Sequence, residues 1–275
     1  MTTTEHHQTT EASGQGTAVN HVSDAAGLGP ILDDPTLRVL AENVDDLENL
    51  RKASENRIRQ LTRAEVDSDG EIRGHGLTED HPNVVKLRAS LDLIAQAEKM
   101  SVSNLERAMR DHPLGPWIKG QNGLGLKTTA RLLSAIGDPY WNELHNRPRT
   151  VSELWAYCGL AVHGGHAQKR TKGQVSNWSD TAKMRVWNMV QPIIKNRNSP
   201  YRHLYDQAKA AMEGSVYDER MAGKMFKGQP IVVGQPLSAG HIHNRAQRRV
   251  MKAILKDLWV EAKRIHEERA AEIQE

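Results

Sequence analysis

The sequence is poor in the residues that build disulfides, thiolate metal sites and membrane spans. Cys158 is its single cysteine, so no disulfide can form within the chain and a cysteine-based zinc site is excluded. No run approaches the roughly 20 apolar residues that cross a bilayer, and the N-terminus has no apolar signal core. We therefore expect a soluble, cytoplasmic protein with no membrane partner.

Aromatic residues are also scarce, with a single Phe, but Trp is an exception, with six residues. Five of them lie within one central stretch: Trp117, Trp141, Trp155, Trp178 and Trp187. Because large apolar side chains drive core formation, this stretch is the predicted centre of a compact domain.

The charges are divided unevenly along the chain, although the net charge is only +3. Residues 113–256 contain 22 Lys and Arg but only 8 Asp and Glu, so the remainder of the chain is acidic. Such an asymmetry is typical of proteins that bind a polyanion. The basic half is where we expect the function.

The pattern of apolar residues predicts a mainly α fold in three parts. Residues 1–29 contain almost no large apolar side chains and are predicted to be a disordered tail. Residues 30–112 carry two apolar stripes at helical spacing, separated by a polar, Gly-rich loop. They predict a helical hairpin or a coiled coil. The two helices can pair with each other or with copies in another subunit, and we expect a homo-oligomer.

Residues 113–275 are predicted to be a compact domain of shorter helices with clear start and stop signals. A helix begins near Lys127 and ends at Gly137. The capping box from Thr150 to Glu153 opens another helix. Ser179 caps a helix that starts at Asp180 and is kinked or ended by Pro192, residues 214–240 form an irregular insertion, and a last helix spans about Asn244 to Glu268.

The segment "NGLGLKTTARLLSAIGD" is the predicted phosphate site. Gly123 and Gly125 permit a tight turn with positive φ angles around Leu124, which anchors it in the core. The helix that follows presents free N–H groups and the positive end of its dipole, and Lys127 and Thr128 can reach the same anion. The alternative is an ordinary glycine-rich turn.

Basic residues elsewhere in this half predict the rest of a DNA surface. They are Arg131, Lys169, Arg170, Lys172, Lys183, Arg185, Lys195, Arg197, Arg245, Arg248, Arg249 and Lys252. The alternative is a solvated charged face, but the acids near them in sequence are too few to pair them. If about 6 to 10 of these residues contact phosphates, affinity should fall by roughly three to five decades between low and moderate salt. Trp178 can stack on an unpaired base or fill the core, and the core is favoured.

Several motifs resemble those of known nucleic-acid-binding proteins. The order of a helix, a Gly-apolar-Gly turn and a second helix resembles the helix-hairpin-helix module. Such a module holds backbone phosphates without reading bases. In order and spacing, "GLGLKTTARLLSAIGDPYWN", "RTVSELWAYCGLAVHGG", "KGQVSNWSDTAKMRVWNMVQPII" and "HNRAQRRVMKAILKDLW" resemble the C-terminal domain of the bridge-RNA-guided insertion-sequence transposases. The resemblance covers roughly residues 80 to 265, and the hairpin and "AYCGL" are its most specific parts.

The chain departs from that family in two ways that concern catalysis. The family has an N-terminal RuvC-like nuclease domain with four metal-binding acids, whereas the N-terminal part of this sequence predicts a tail and helices. The family also uses a serine nucleophile, yet the loop "AVHGGHAQKRTKGQV" contains no serine. The next candidates are Ser176 and Ser179, and both positions are typical of helix caps.

The polar residues give little indication of a metal or cofactor. His163 and His166, and likewise His241 and His243, are closely spaced but lack a cysteine or a fixed carboxylate partner, so no metal site is predicted. We expect no cofactor, and Mg²⁺ only if the protein is catalytic. Scattered acids such as Asp138, Asp180 and Asp206 could in principle meet around such an ion, but one sequence does not show that they do.

These observations leave three hypotheses for the function. The first is a DNA-binding protein, or one that binds structured RNA, that holds the phosphate backbone as an accessory or domesticated derivative of a transposase. It would be cytoplasmic and nucleoid-associated, and not itself an enzyme. The second is an active transposase or recombinase subunit in which Ser176 or Ser179 attacks DNA and a partner supplies the nuclease domain. The third is a structural helical interaction protein.

Overall fold

The computed structural model describes residues 28–226 and 228–274, and this part of the chain is mainly helical. Most of the predicted tail, residues 1–27, lies outside the described residues. The helices are α1 (Pro35–Thr62), α2 (Pro82–Asp111), α3 (Gly115–Gly120), α4 (Leu126–Ile136), α5 (Val151–Tyr157), α6 (Asp180–Ile193), α7 (Pro200–Ala210) and α8 (Ala239–Gln274). None of these helices is long and apolar enough to span a membrane.

Three short antiparallel strand pairs connect the helices of the second half. They are β1 (Trp141–Asn142) with β2 (Arg147–Pro148), β3 (Val162–His163) with β4 (His166–Ala167), and β5 (Met225–Phe226) with β6 (Gln229–Pro230). Gly164 and Gly165 form the turn between β3 and β4, and both have positive φ, as a two-residue hairpin turn requires.

Helices α1 and α2 pack along each other within the chain as a long hairpin. The Asp34 carboxylate starts α1, because it accepts hydrogen bonds from the N–H groups of Thr36 and Leu37. A small apolar cluster of Ile58, Val84 and Leu91 closes the far end of the hairpin. The predicted homo-oligomer stays a prediction.

The main core joins the near end of this hairpin to the shorter helices. It brings together side chains from five helices: Val44 of α1, Leu105 of α2, Leu132 of α4, Met189 of α6 and Leu258 of α8. All five are at most 1% exposed. The hairpin is therefore packed against α4, α6 and α8, which carry much of the predicted basic surface. The predicted domain boundary at residue 112 stays a prediction.

Most of the predicted start and stop signals of the shorter helices are confirmed. Gly137 ends α4 with φ of 63°, and the Thr150 hydroxyl and Glu153 carboxylate complete a capping box at α5. The Ser179 hydroxyl accepts the N–H of Ala182 and caps α6. Two details were not predicted: α7 was not recognised, and α8 extends beyond its predicted ends on both sides.

Candidate functional site

The glycine turn between α3 and α4 differs in one respect from the prediction. Gly123 has φ of +106°, but Gly125 is extended with φ of −95°, so only the first glycine uses the left-handed region. A Cβ atom on Gly123 would lie 3.0 Å from the Ser199 hydroxyl oxygen. The turn is held from outside by Asn122, whose side-chain amide donates to the Asn198 carbonyl over 3.1 Å.

The solvent-exposed side of this turn is the start of α4. Gly125 is exposed, and its carbonyl accepts the N–H of Thr129 over 3.0 Å. Within the described residues, no hydrogen bond is made by the main-chain N–H groups of Leu126, Lys127 and Thr128. The turn therefore presents unoccupied donors at the positive end of a helix dipole.

The cations that follow the turn face acids on α1. Arg131 forms ion pairs with Asp45 and, over 2.9 Å, with Glu48. Burial raises the pKa of Glu48, but the hydrogen bond from Lys52, and next the positive charges of Arg131, Lys52 and Lys127, outweigh burial and hold that pKa below its usual value. The charge near the turn is therefore partly neutralised.

Arg185 is likewise not part of a free basic surface. Its guanidinium pairs with Asp45, and its side chain is only 8% exposed. The expectation that acids are too few to pair the basic residues is wrong for Arg131 and Arg185, since the acids come from α1, far away in the sequence. It is also wrong for Arg170, which pairs with Asp180. These two arginines tie α4 and α6 to the hairpin.

Three other predicted residues lie on α6 and α8, with Arg248 and Lys252 one turn apart on α8. We call Lys183, Arg248 and Lys252 the cation cluster. Burial, and next the positive charge of Arg248, lower the pKa values of both Lys183 and Lys252. The Arg248 guanidinium donates to the Ala161 carbonyl over 2.8 Å. The positive charge of Arg248 thus acts on each of the two lysines, and Asp180 compensates that of Lys183 only in part.

Tryptophan rings hold two members of the cation cluster in place. The Lys183 ammonium lies 4.3 Å from the centre of the Trp178 ring, and the Lys252 ammonium lies 4.6 Å from that of Trp155. The Trp155 indole N–H also donates to the main-chain carbonyl of Lys252 over 3.0 Å. Cation–π contacts of this kind orient the ammonium groups without neutralising them.

The remaining predicted basic residues are exposed in three places: the loop after β4, the segment after α6 with Lys195 and Arg197, and the start of α8. Lys169, Arg170 and Lys172 are exposed in the loop after β4, and Arg170 pairs with Asp180 over 2.5 Å. Arg245 and Arg249 are exposed near the start of α8. The cluster, this loop, the segment after α6 and the start of α8 are therefore the parts of the predicted surface that carry exposed or weakly compensated charge.

The two candidate serines lie beside Trp178 and are both hydrogen-bonded. Ser179 accepts the N–H of Ala182 over 3.1 Å as the cap of α6, and the Ser176 hydroxyl donates to the Trp178 carbonyl over 3.4 Å. The cap role considered for Ser179 is thus observed.

In the part of the chain that the structure describes, no three or more His, Cys, Asp or Glu side chains are grouped so that they could hold a metal. The acids considered for Mg²⁺ each have a separate partner: Asp138 pairs with His266, Asp180 with Arg170 and Asp206 with Arg202. His241 and His243 contact the hydroxyls of different tyrosines, Tyr217 and Tyr205, both over 2.7 Å.

Two residues near the cation cluster, Gln247 and Trp187, were not predicted to belong to a functional site. Gln247 is 3% exposed, and Trp187 is 46% exposed. The spacing contained a usable signal, because Trp187 lies four residues after Lys183 and Gln247 lies four residues before Met251, which places each pair on one helix face.

Comparison with known proteins relates the chain to an insertion element. It is 26% identical over 172 residues to the "Insertion element IS110 uncharacterized 43.6 kDa protein" of Streptomyces coelicolor (strain ATCC BAA-471 / A3(2) / M145). The match covers 54% of this chain and 41% of that protein, so it spans less than half the relative's length. No family model and no solved structure matches the chain.

Proposed function

We propose that this protein is transposase-related and binds DNA through the phosphate backbone, as an accessory or domesticated derivative of a transposase. The observation that carries the proposal is the cation cluster: Lys183 and Arg248 line one cleft, and the ammonium groups of Lys183 and Lys252 lie over tryptophan rings. Three positive charges held near each other repel one another, and a phosphate placed between them relieves that repulsion.

The position of the cluster supports contact with an extended polyanion. Exposed cations continue from it along the loop of Lys169 and Lys172 and the start of α8 at Arg245 and Arg249. A row of phosphates can contact several of these groups in sequence, which a small anion cannot do. A polyanion is therefore the better fit to the whole surface.

The glycine turn is proposed as a second phosphate contact. The N–H groups of Leu126, Lys127 and Thr128 are suited to donate hydrogen bonds to a phosphate at the start of α4. Because Lys127 and Arg131 are partly neutralised by α1, the turn should contribute hydrogen bonds and position, whereas the cation cluster should contribute most of the attraction.

The role in transposition is supported by two likenesses, both read from the same amino-acid sequence. One is the partial match to an insertion-element protein. The other is the order of motifs that resembles the bridge-RNA-guided transposases. Neither extends to the relative's whole length, so the proposal is limited to DNA binding by a transposase-related protein located with the nucleoid.

The test is the salt dependence of DNA binding. The full chain and a Lys183→Gln, Arg248→Gln, Lys252→Gln variant are titrated with a fluorescent duplex at several salt concentrations. Each lost phosphate contact lowers the slope of log affinity against log salt by about 0.9, so the variant should lose a slope of about 2.7. A control variant, Lys86→Gln, Lys99→Gln, Arg107→Gln, removes equal charge from the exposed face of α2.

The possible outcomes distinguish binding at the cation cluster from binding that depends only on net charge. Equal slopes for the cluster variant and the α2 variant would mean that only net charge matters, which contradicts the proposal. A duplex that binds with no salt dependence, or not at all, would leave a helical interaction protein as the better description. Circular dichroism of each variant verifies that it is folded.

A further inference from the structure

A cleft of about 390 Å³ lies between α6 and α8, beside the cation cluster. Leu160 and Met251 form an apolar part of its lining and are almost completely buried, and the half-exposed Trp187 lines it as well. Pockets for small molecules typically have volumes of about 300–1,000 Å³, so the cleft has room for one nucleotide-sized group.

One side chain in this lining has a polar atom without a hydrogen-bond partner. Gln247 is 3% exposed, and its side-chain Nε2 has no hydrogen-bond partner among the described residues. A buried amide N–H without a partner is unfavourable and rare in native proteins. Because Gln247 lines the cleft, a rotation of its side chain would bring this N–H to a hydrogen-bond acceptor bound there.

The charged groups of the cleft restrict the occupant further. Lys183 and Arg248 both line it, and the Arg248 Nε atom also lacks a hydrogen-bond partner in the described part of the chain. Asp180, the acid of the lining, is already paired with Arg170. The occupant should therefore combine a flat apolar body, an acceptor and a negative charge.

We propose that this cleft holds one unpaired nucleotide of bound DNA. Its base lies against Trp187 and the apolar lining, the Gln247 amide donates to an acceptor on the base, and the adjoining phosphate contacts Lys183 and Arg248. The base must be unpaired, because bases stacked inside a duplex cannot enter a pocket. This inference rests on the proposed DNA binding and adds a preference for DNA structure.

The experiment compares two duplexes that differ by one unpaired nucleotide. The full chain is titrated with a fluorescent perfect duplex and with the same duplex carrying a single-nucleotide bulge. Stacking on an aromatic side chain should make the bulged duplex bind about 10-fold more tightly. Trp187→Leu and Gln247→Leu should each reduce this preference to about twofold or less, while the affinity for the perfect duplex stays the same.

Two matched variants serve as controls. Trp187→Phe keeps an aromatic face and should retain most of the preference, and Gln207→Leu removes an exposed glutamine amide from α7 and should retain all of it. Separately, 5-iodouracil at the bulged position should crosslink under light to the peptide that contains Trp187.

The results distinguish this inference from the proposed function. Equal affinity for both duplexes with normal salt dependence would overturn the nucleotide cleft and leave DNA binding intact. A preference that survives both leucine variants, or a crosslink at Trp178 instead of Trp187, would also overturn it. No binding to either duplex would overturn both proposals.

Discussion

At Glu153 a single carboxylate joins a helix start to a neighbouring strand. It accepts the main-chain N–H of Thr150 over 2.7 Å and pairs with Arg147 of β2 over 2.6 Å. The Arg147 hydrogen bond is the largest influence on this carboxyl and lowers its pKa to about 2. The sequence predicted the cap from the Thr150–Glu153 spacing, but not the arginine, because strand pairing brings it close.

The depressed pKa of Glu153 predicts a specific acid sensitivity. A carboxyl with a lowered folded pKa stabilises the fold above its unfolded value of about 4.5 and loses that contribution as pH falls toward 2. Because the pair is partly exposed, we expect Glu153→Gln to reduce the unfolding free energy at pH 7 by about 1 kcal/mol and to make the loss between pH 5 and pH 3 smaller. Urea unfolding measures both, with the exposed Glu213→Gln as control. Identical pH profiles for the wild type and Glu153→Gln would contradict the prediction.

Cys158 gives a second prediction at the scale of one residue. Its side chain is completely buried, and burial raises the pKa of its thiol to about 12. Since the thiolate is the reactive form, a chromogenic disulfide reagent should label the native protein at least about 100-fold more slowly than the urea-unfolded protein. Labelling of the native protein at the unfolded rate would show that the core around α5 opens readily.

At the scale of elements, the attachment of the hairpin depends on a small ion network. Asp45 of α1 pairs with Arg131 of α4 and with Arg185 of α6. These contacts join residues that are far apart in sequence, and a count of charges in sequence windows cannot reveal them. Periodicity and caps therefore predicted where most helices lie, but not which charges are free on the folded surface.

Removal of the shared carboxylate should weaken this attachment. Asp45→Asn leaves two arginines in place without their common partner, and we expect a loss of about 2–3 kcal/mol in unfolding free energy. That value is below the range for fully buried pairs because the Asp45 side chain is 25% exposed. Asp46→Asn, an exposed neighbour with the same charge change, should cost less than about 0.5 kcal/mol. Equal losses in the two variants would rule out a structural role for the network.

At the scale of the whole molecule, the shared core predicts one cooperative unfolding transition. All six Trp residues lie after residue 112, so their fluorescence reports on the second half alone, whereas far-ultraviolet circular dichroism also includes α1 and α2. Because side chains such as Val44 and Leu105 are buried in the main core, the two signals should have the same urea midpoint. Separate midpoints would mean that the hairpin unfolds independently.

Much of this architecture could be predicted from local patterns, and the exceptions have a common cause. The apolar stripes predicted the long helices, and glycine and capping residues predicted where several short ones begin and end. The cleft beside Gln247 could not be predicted, since its walls come from α6, α8 and Leu160, whose relative position depends on the packed core. Each of the three residues of the cation cluster was predicted to belong to a basic surface. The sequence did not predict that α6 and α8 would bring them near one another.

The buried contacts of Asp138 bear on the order of events during synthesis. Its carboxylate accepts the main-chain N–H of Leu32 over 3.0 Å and contacts the His266 ring over 2.6 Å, so one side chain joins segments from both ends of the described chain. A ribosome releases residue 32 long before residue 266. The contacts at the base of the hairpin therefore cannot all form until α8 has been synthesised. A nascent chain that stalls within α8 should be cleaved readily by proteases.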